Sequence, residues 1–461
     1  MSTPQETVER ALALSRADGC VVIADEGSSA NLRWANNTLT TNGVTRTRLL
    51  TVVATVGGAT GTASGVVSRS GVTDDTLEDL VRAAETVARG AGPAEDAQPL
   101  VAAEMASADW DQPPAETSIA AFSAFAPDLG QAFARAGAED RVLFGYAEHE
   151  MQSTFLGSSA GLRLRHDQPT GHVELNGKSP DYTRSAWVGV ATADFAEVDV
   201  AGMDTELAER LRWAERRVDL PEGRYETLLP PGAVADLMIY LYWSAGARNA
   251  HDGRSVFSRP GGGTRVGEAL TEVPVTLRSD PGAPGLRCAP WVIAHASGPT
   301  QSVFDNGWPL QPTRWISDGV LTALLQTRST AELTGLAVTP PVDNLIMEGG
   351  PDSRALTEMV AATDRGLLLT CLWYIREVDP RTLLLTGLTR DGVYLVEHGE
   401  VVAAVNNFRF NESPVDLLGR VVEVGSTEAT LPREWGDYFT RTAMPALRVP
   451  DFNMSSVSQA S

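Results

Sequence analysis

Six histidines and three cysteines are the scarce reactive side chains of this 461-residue sequence, and their spacing limits the chemistry open to it. Gly157-Ser158-Ser159-Ala160-Gly161 matches G-x-S-x-G, in which a serine on a sharp strand-to-helix turn becomes a nucleophile for acyl transfer. Ser159 would be that nucleophile, but both flanks read as strands, which favours a small-residue hairpin turn. His149-Glu150 is half of a zinc-binding H-E-x-x-H pattern, yet Ser153 and Thr154 stand where the second histidine would fall. His166-Asp167 and His172 flank a predicted hairpin turn, Asp167-Gln168-Pro169-Thr170-Gly171, and could share a metal. Histidines beside a surface turn are more often simply solvated. His251-Asp252 has no matching ligands nearby, and Gly261-Gly262-Gly263 is followed by no lysine-serine or lysine-threonine pair, so it is not a phosphate loop. Cys20, Cys288 and Cys371 lie far apart without CxxC spacing. Cys20 and Cys371 sit in apolar, strand-like runs and read as buried, reduced thiols.

The elements that would position these groups form three units. Pro4 to Arg16 predicts an amphipathic helix, Cys20 to Ala24 a strand, and Asn31–Trp34, Thr45–Val56 and Thr62–Val67 further strands. Asn42-Gly43 predicts a hairpin turn between two of them. A helix over Val72–Gly90 completes an α+β module, residues 1–91, and a stretch rich in Ala, Pro, Asp and Glu follows as a linker. A middle α+β module, residues 116–217, opens with a helix over Ser118–Ala136, continues as strands and closes with a charged helix over Thr205–Arg216. The third unit, residues 226–450, is β-rich and antiparallel, so the whole is of the α+β class. Its one long helix, Ala233–Ala247, is apolar almost all round and therefore buried. Near the end, Leu367–Ile375 predicts a buried strand, Asp379-Pro380 a turn, and Leu383–Leu385, Val393–Val396 and Val401–Val405 the strands of a meander. Thr389-Arg390-Asp391 and Asn406-Asn407-Phe408-Arg409 fall at the ends of those strands, where such residues bind turn backbones and pair with carboxylates.

Composition removes several classes of function. Hydrophobic content of 43% with charged content of 21% suits a globular chain with large cores. A net charge of −22 would repel nucleic-acid phosphates and anionic membrane surfaces. The N-terminal residues lack a basic, apolar leader, and no apolar run reaches about 18 residues, so a cytoplasmic location is expected.

The stretch from Leu372 to Ser413, LWYIREVDPRTLLLTGLTRDGVYLVEHGEVVAAVNNFRFNES, resembles the closing domain of the TldD/PmbA family, whose members form two-subunit metallopeptidases. The resemblance implies a helix after the Pro231-Gly232 turn that in catalytic members carries HExxxH, two zinc-binding histidines and a glutamate general base. On this chain the motif positions are Ile239, Tyr240 and Ser244, which supply neither the zinc ligands nor the base. No histidine occurs between His172 and His251, so a slipped register does not help. The resemblance therefore implies the non-catalytic TldE/PmbA-type subunit, with no cofactor of its own, zinc in a TldD-like partner, and peptides or unfolded segments as substrate. Arg390, Asp391, Asn406, Asn407 and Arg409 would then line the subunit seam or the peptide channel. Two other readings are a peptide-binding or scaffold homodimer without peptidase activity, and a stand-alone hydrolase using Ser159.

Overall fold

The computed structural model describes residues 2–59, 61–103, 106–350, 353–390 and 392–458. Six long strands come first: β1 (Gly19–Ala35), β2 (Thr38–Gly58), β3 (Gly61–Ser70), β4 (Val142–Ser158), β5 (Arg163–Lys178) and β6 (Ser185–Ala191). They form one antiparallel sheet in the order β3-β2-β1-β4-β5-β6. The strands on either side of the 92–115 stretch are thus joined, with β1 and β4 paired from Val21 opposite Ser158 to Trp34 opposite Gly145.

Strand alternation assigns the two faces. Even-numbered residues of β1 (Cys20, Val22, Ala24, then Ala30, Leu32, Trp34) face the helices α1 (Pro4–Leu14), α2 (Leu77–Gly90), α3 (Phe125–Ala138) and α4 (Val200–Trp213). On the other face, Val21 and Ile23 join Leu156, Leu162 and Leu164 against Trp291, Val303 and Phe304 of the C-terminal unit. Both faces are covered, which is why Cys20–Ala24 reads as a continuous apolar run. Helix α2 is seated on β3 at Gly65, where an added Cβ would lie 2.2 Å from the amide nitrogen of Ala88 and 2.3 Å from the carbonyl oxygen of Ala84. Gly65→Ala is expected to lift the helix and lower stability by about 2–3 kcal/mol, seen as a drop in the thermal midpoint. An unchanged midpoint would mean that α2 is not held at this distance.

Three turn and strand expectations are corrected. The β1–β2 turn is Asn36-Asn37, both left-handed with φ of 51° and 57°, not Asn42-Gly43, which lies inside β2 opposite Leu32 and Asn31. Tertiary bonds fix the choice: the Asn37 amide accepts from the Leu143 N–H and donates to the Arg141 carbonyl. Residues 167–171 are not a turn but the middle of β5. Its Pro169 is tolerated because β6 covers only His172–Lys178, leaving β5 an edge strand at the proline. Leu367–Ile375 is two strands, Arg365–Leu369 and Leu372–Asp379, which take different partners.

The C-terminal unit is a strand-rich, mostly antiparallel assembly around the last long strand, Thr442–Val457. That strand pairs with Gly223–Leu229, Phe408–Glu412 and Glu423–Thr430 antiparallel, and with Leu345–Glu348 in parallel. The expected meander is interleaved: Leu384–Thr389 pairs with Leu372–Asp379 and Phe408–Glu412, whereas Val393–Glu397 pairs with Arg365–Leu369 and Glu400–Val405. Helix α5 (Pro231–Trp243) runs through the largest core of this unit. Among the described residues no helix is long and apolar enough to cross a membrane.

Candidate functional site

Pro231 occupies the first turn of α5, where its missing N–H costs nothing and its fixed φ is already helical. Leu237, Met238, Ile239, Leu241 and Tyr242 are buried, so the helix is held by packing on all sides. Ile239 is fully enclosed in the core. Tyr240 is half-buried with its ring 5.7 Å from that of Trp435, and burial pushes its phenol above the usual range. Ser244 is the C-terminal cap, its N–H donating to the Tyr240 carbonyl. An aliphatic chain, a phenol of raised pKa and a cap serine do not fit a zinc ion with an activated water.

The helix nonetheless carries one charge-bearing group that sequence reading missed. Asp236 is fully buried, and its two carboxylate oxygens accept the backbone N–H groups of Arg433 (3.2 Å) and Glu434 (2.9 Å). The Asp236 carbonyl also accepts the Trp435 indole N–H at 2.9 Å. Burial pushes the Asp236 carboxyl well above the ordinary range, opposed by those two N–H bonds. Glu434 repeats the device: its carboxylate accepts the N–H groups of Tyr374 (2.9 Å) and Ile375 (3.1 Å) at a bulge where Tyr374 has φ of 52°. The bulge is therefore stabilised from outside its own strand. Between them, Arg433 stacks on Trp187 (4.9 Å) and Trp373 (4.1 Å) and donates to Glu174 Oε2 at 3.0 Å. The loop 431–441 thus ties α5, the bulged strand and β5 together.

This loop also walls a groove between the six-stranded sheet and the C-terminal unit. Three adjoining cavities of about 390, 360 and 450 Å³ run along it. Tyr438 and Asp343 are common to the first two, and Arg441 and His166 to the second and third. Arg441 is anchored by Asp343 and by the Thr170 hydroxyl. Tyr438, 74% exposed, and Trp243, 39% exposed, are apolar surfaces at its mouth. A groove with aromatic rims, a fixed guanidinium and exposed strand edges can hold an extended peptide. Beside it, a smaller pocket of about 140 Å³ contains His172 and Asp437, which with Glu174 are the group among the described residues able to hold a metal ion.

Ser159 and His149 serve the sheet's own structure. Ser159 lies in the β4–β5 turn and its hydroxyl accepts the Cys20 N–H at 3.0 Å. His149 is buried on strand β4, bonded to Thr117 Oγ1 (2.6 Å) and the Ala193 carbonyl (3.2 Å). His166 and His172 lie six residues apart on one straight strand, so they share no metal. Asp252 is paired with Arg248 and Arg254, and Gly261, Gly262 and Gly263 all have positive φ in an open loop. All three cysteines are buried and outside any disulfide, with burial pushing Cys20 to about 11 and Cys288 to about 12. Asn406 is buried and accepts the Leu220 N–H at 2.6 Å; Arg409 is exposed and donates to Thr386 Oγ1. Arg390 and Asn407 are half-buried, and Asp391 lies outside the described residues. None of Arg390, Asn406, Asn407 and Arg409 lines the three cavities of the groove.

Residues 222–456 match the family described as the PmbA/TldA metallopeptidase C-terminal domain. That is half of the chain, and the chain belongs to the TldD/PmbA metallopeptidase family. Its fold is similar to that of TldE from Thermococcus kodakarensis, with a TM-score of 0.78 over 97% of this chain and 99% of that one at 16% identity. Proposed modulators of DNA gyrase from Thermotoga maritima (TM-score 0.74, 17% identity, 97% and 99% covered) and Bacteroides thetaiotaomicron (0.73, 15%, 98% and 98%) are also similar. No curated protein sequence matches the chain significantly.

Proposed function

We propose that this chain is the non-catalytic, TldE-type subunit of a heteromeric zinc peptidase that acts on peptides and unfolded segments. The observation that carries the reading is α5, which presents Ile239, Tyr240 and Ser244 where catalytic family members place the HExxxH ligands and base. Zinc and the general base would come from a TldD-like homologue. This chain would contribute shape, its groove admitting extended chains and excluding folded ones. Exposed Arg409, with Arg390, Asn407 and Asp391 nearby in the chain, is the candidate for the subunit seam; Asn406 is committed to the Leu220 backbone. The test is peptide cleavage by the chain alone, by an HExxxH-bearing homologue alone, and by the pair after co-purification. Cleavage is expected to need the homologue and to rise when this chain is added. Cleavage by the lone chain, or no effect and no association on mixing, defeats the proposal.

A further inference from the structure

We propose that His172, Glu174 and Asp437 form a site for one first-row divalent cation, at the seam between β5 and the 431–441 loop. His172 and Glu174 are two residues apart on β5 and so project from the same face, toward the C-terminal unit. Asp437 meets them from the loop, and one donor atom from each of the three lies within 4.8 Å of the others. Modest side-chain rotation closes that span around a cation with bonds of about 2.0–2.2 Å.

The second, independent observation is His172 itself. It is 6% exposed, and its Nε2 is fully buried with no hydrogen-bond partner among the described residues. Buried polar nitrogens are rarely left unpaired, and on a histidine grouped with two carboxylates a cation is a partner that would satisfy this one. Glu174 is already oriented for the role. Its Oε2 accepts the Trp187 indole N–H at 2.9 Å and a bond from Arg433 Nη1 at 3.0 Å, which orients the carboxylate. The small pocket beside His172 has room for water to complete the coordination and is also lined by Glu148 and Glu150. Glu148 sits directly opposite His172 in the β4–β5 register. A cation would neutralise part of the negative charge that these carboxylates and Asp437 bring together. One imidazole with two carboxylates suits Zn²⁺, Co²⁺, Mn²⁺ or Fe²⁺ better than the all-oxygen preference of Ca²⁺ or Mg²⁺. None of the three donors is on α5, so the site stands whether or not the chain pairs with a zinc-bearing homologue.

The probe is Co²⁺ alone, titrated into the chelator-stripped full-length chain without peptide or partner. A visible ligand-field band saturating at one Co²⁺ per chain, and bleached by competing Zn²⁺, is expected. Asp437→Asn, on an exposed loop, should weaken Co²⁺ binding at least ten-fold with an unchanged thermal midpoint in the absence of metal, and His172→Gln should abolish the band. Asp75→Asn, an exposed acid far from the site, should leave the titration as in the wild type. A wild-type titration that never saturates, or an Asp437→Asn titration identical to it, overturns the site, since either means diffuse attraction to an acidic surface. Because no cleavage is measured, this outcome is independent of the subunit's role in peptidase assembly.

Discussion

Asp236→Ala is expected to cost about 3–5 kcal/mol, the largest loss among single substitutions on α5. The carboxylate is the acceptor for two shielded backbone donors, the N–H groups of Arg433 and Glu434. Each donor orphaned by the truncation costs about 1–3 kcal/mol, and the vacated space adds a cavity term. Because the chain is large, the comparison should be made on the urea midpoint of the transition that includes the C-terminal unit. Asp236→Asn keeps one acceptor but points an amide donor at the second N–H, so it should lose about half as much. The pair also yields a pH test. Burial raises the folded-state pKa of Asp236, so above about pH 4 the unfolded chain has released a proton that the folded chain still holds. Fewer protons in the unfolded state mean that this group's contribution to stability falls as pH rises toward the folded pKa. Asp236→Asn does not titrate, so the wild type's advantage over it should shrink between pH 4.5 and pH 8. An advantage that grows with pH would show that the two N–H bonds outweigh burial and hold Asp236 ionised.

The cores were legible in the sequence and the loop that organises the site was not. Cys20–Ala24 and the helix after Pro231-Gly232 are written in apolar periodicity, because their neighbours need only be greasy and of suitable size. The polar face of β4 and β5 gave the opposite impression. The residues around Pro169 read as a hairpin turn, since alternation there places polar side chains in a groove and a proline on an uncovered edge. Asp236 left a signal that could have been used: one acid in an otherwise apolar run, AVADLMIYLYW, has to find partners. Its partners could not be found the same way. Residues 431–441 act through backbone N–H groups and a stacked guanidinium nearly two hundred positions away in the chain, and neither has a period. The Asn42-Gly43 expectation failed for a related reason, because Asn37's bonds to Arg141 and Leu143 come from a strand beyond the linker.

Arg433→Ala is the second large effect expected, about 2–4 kcal/mol, and it should loosen the sheet from the C-terminal unit rather than unfold either one. The guanidinium lies between two indoles that belong to different layers: Trp187 on β6 of the sheet and Trp373 on the bulged strand of the C-terminal unit. Each contact contributes about 0.5–2 kcal/mol where solvent is partly excluded, and the pairing with Glu174 adds to them. With Arg433 and Glu174 each 20% exposed at the side chain, the ion pair is worth less than a fully buried one, so the rings account for a large share. Trypsin reports the loosening, because Arg216 and Arg217 lie exposed where the chain passes from the first sheet to the C-terminal unit. Cleavage there should accelerate in Arg433→Ala under native conditions. Arg433→Lys separates charge from shape: an ammonium can reach Glu174 but cannot stack flat between two rings or hold the same fork geometry. It should therefore recover less than half of the lost stability. A lysine that restored the wild-type midpoint and protease resistance would reduce the two tryptophans to ordinary buried surface and place the whole seam on the Glu174 charge.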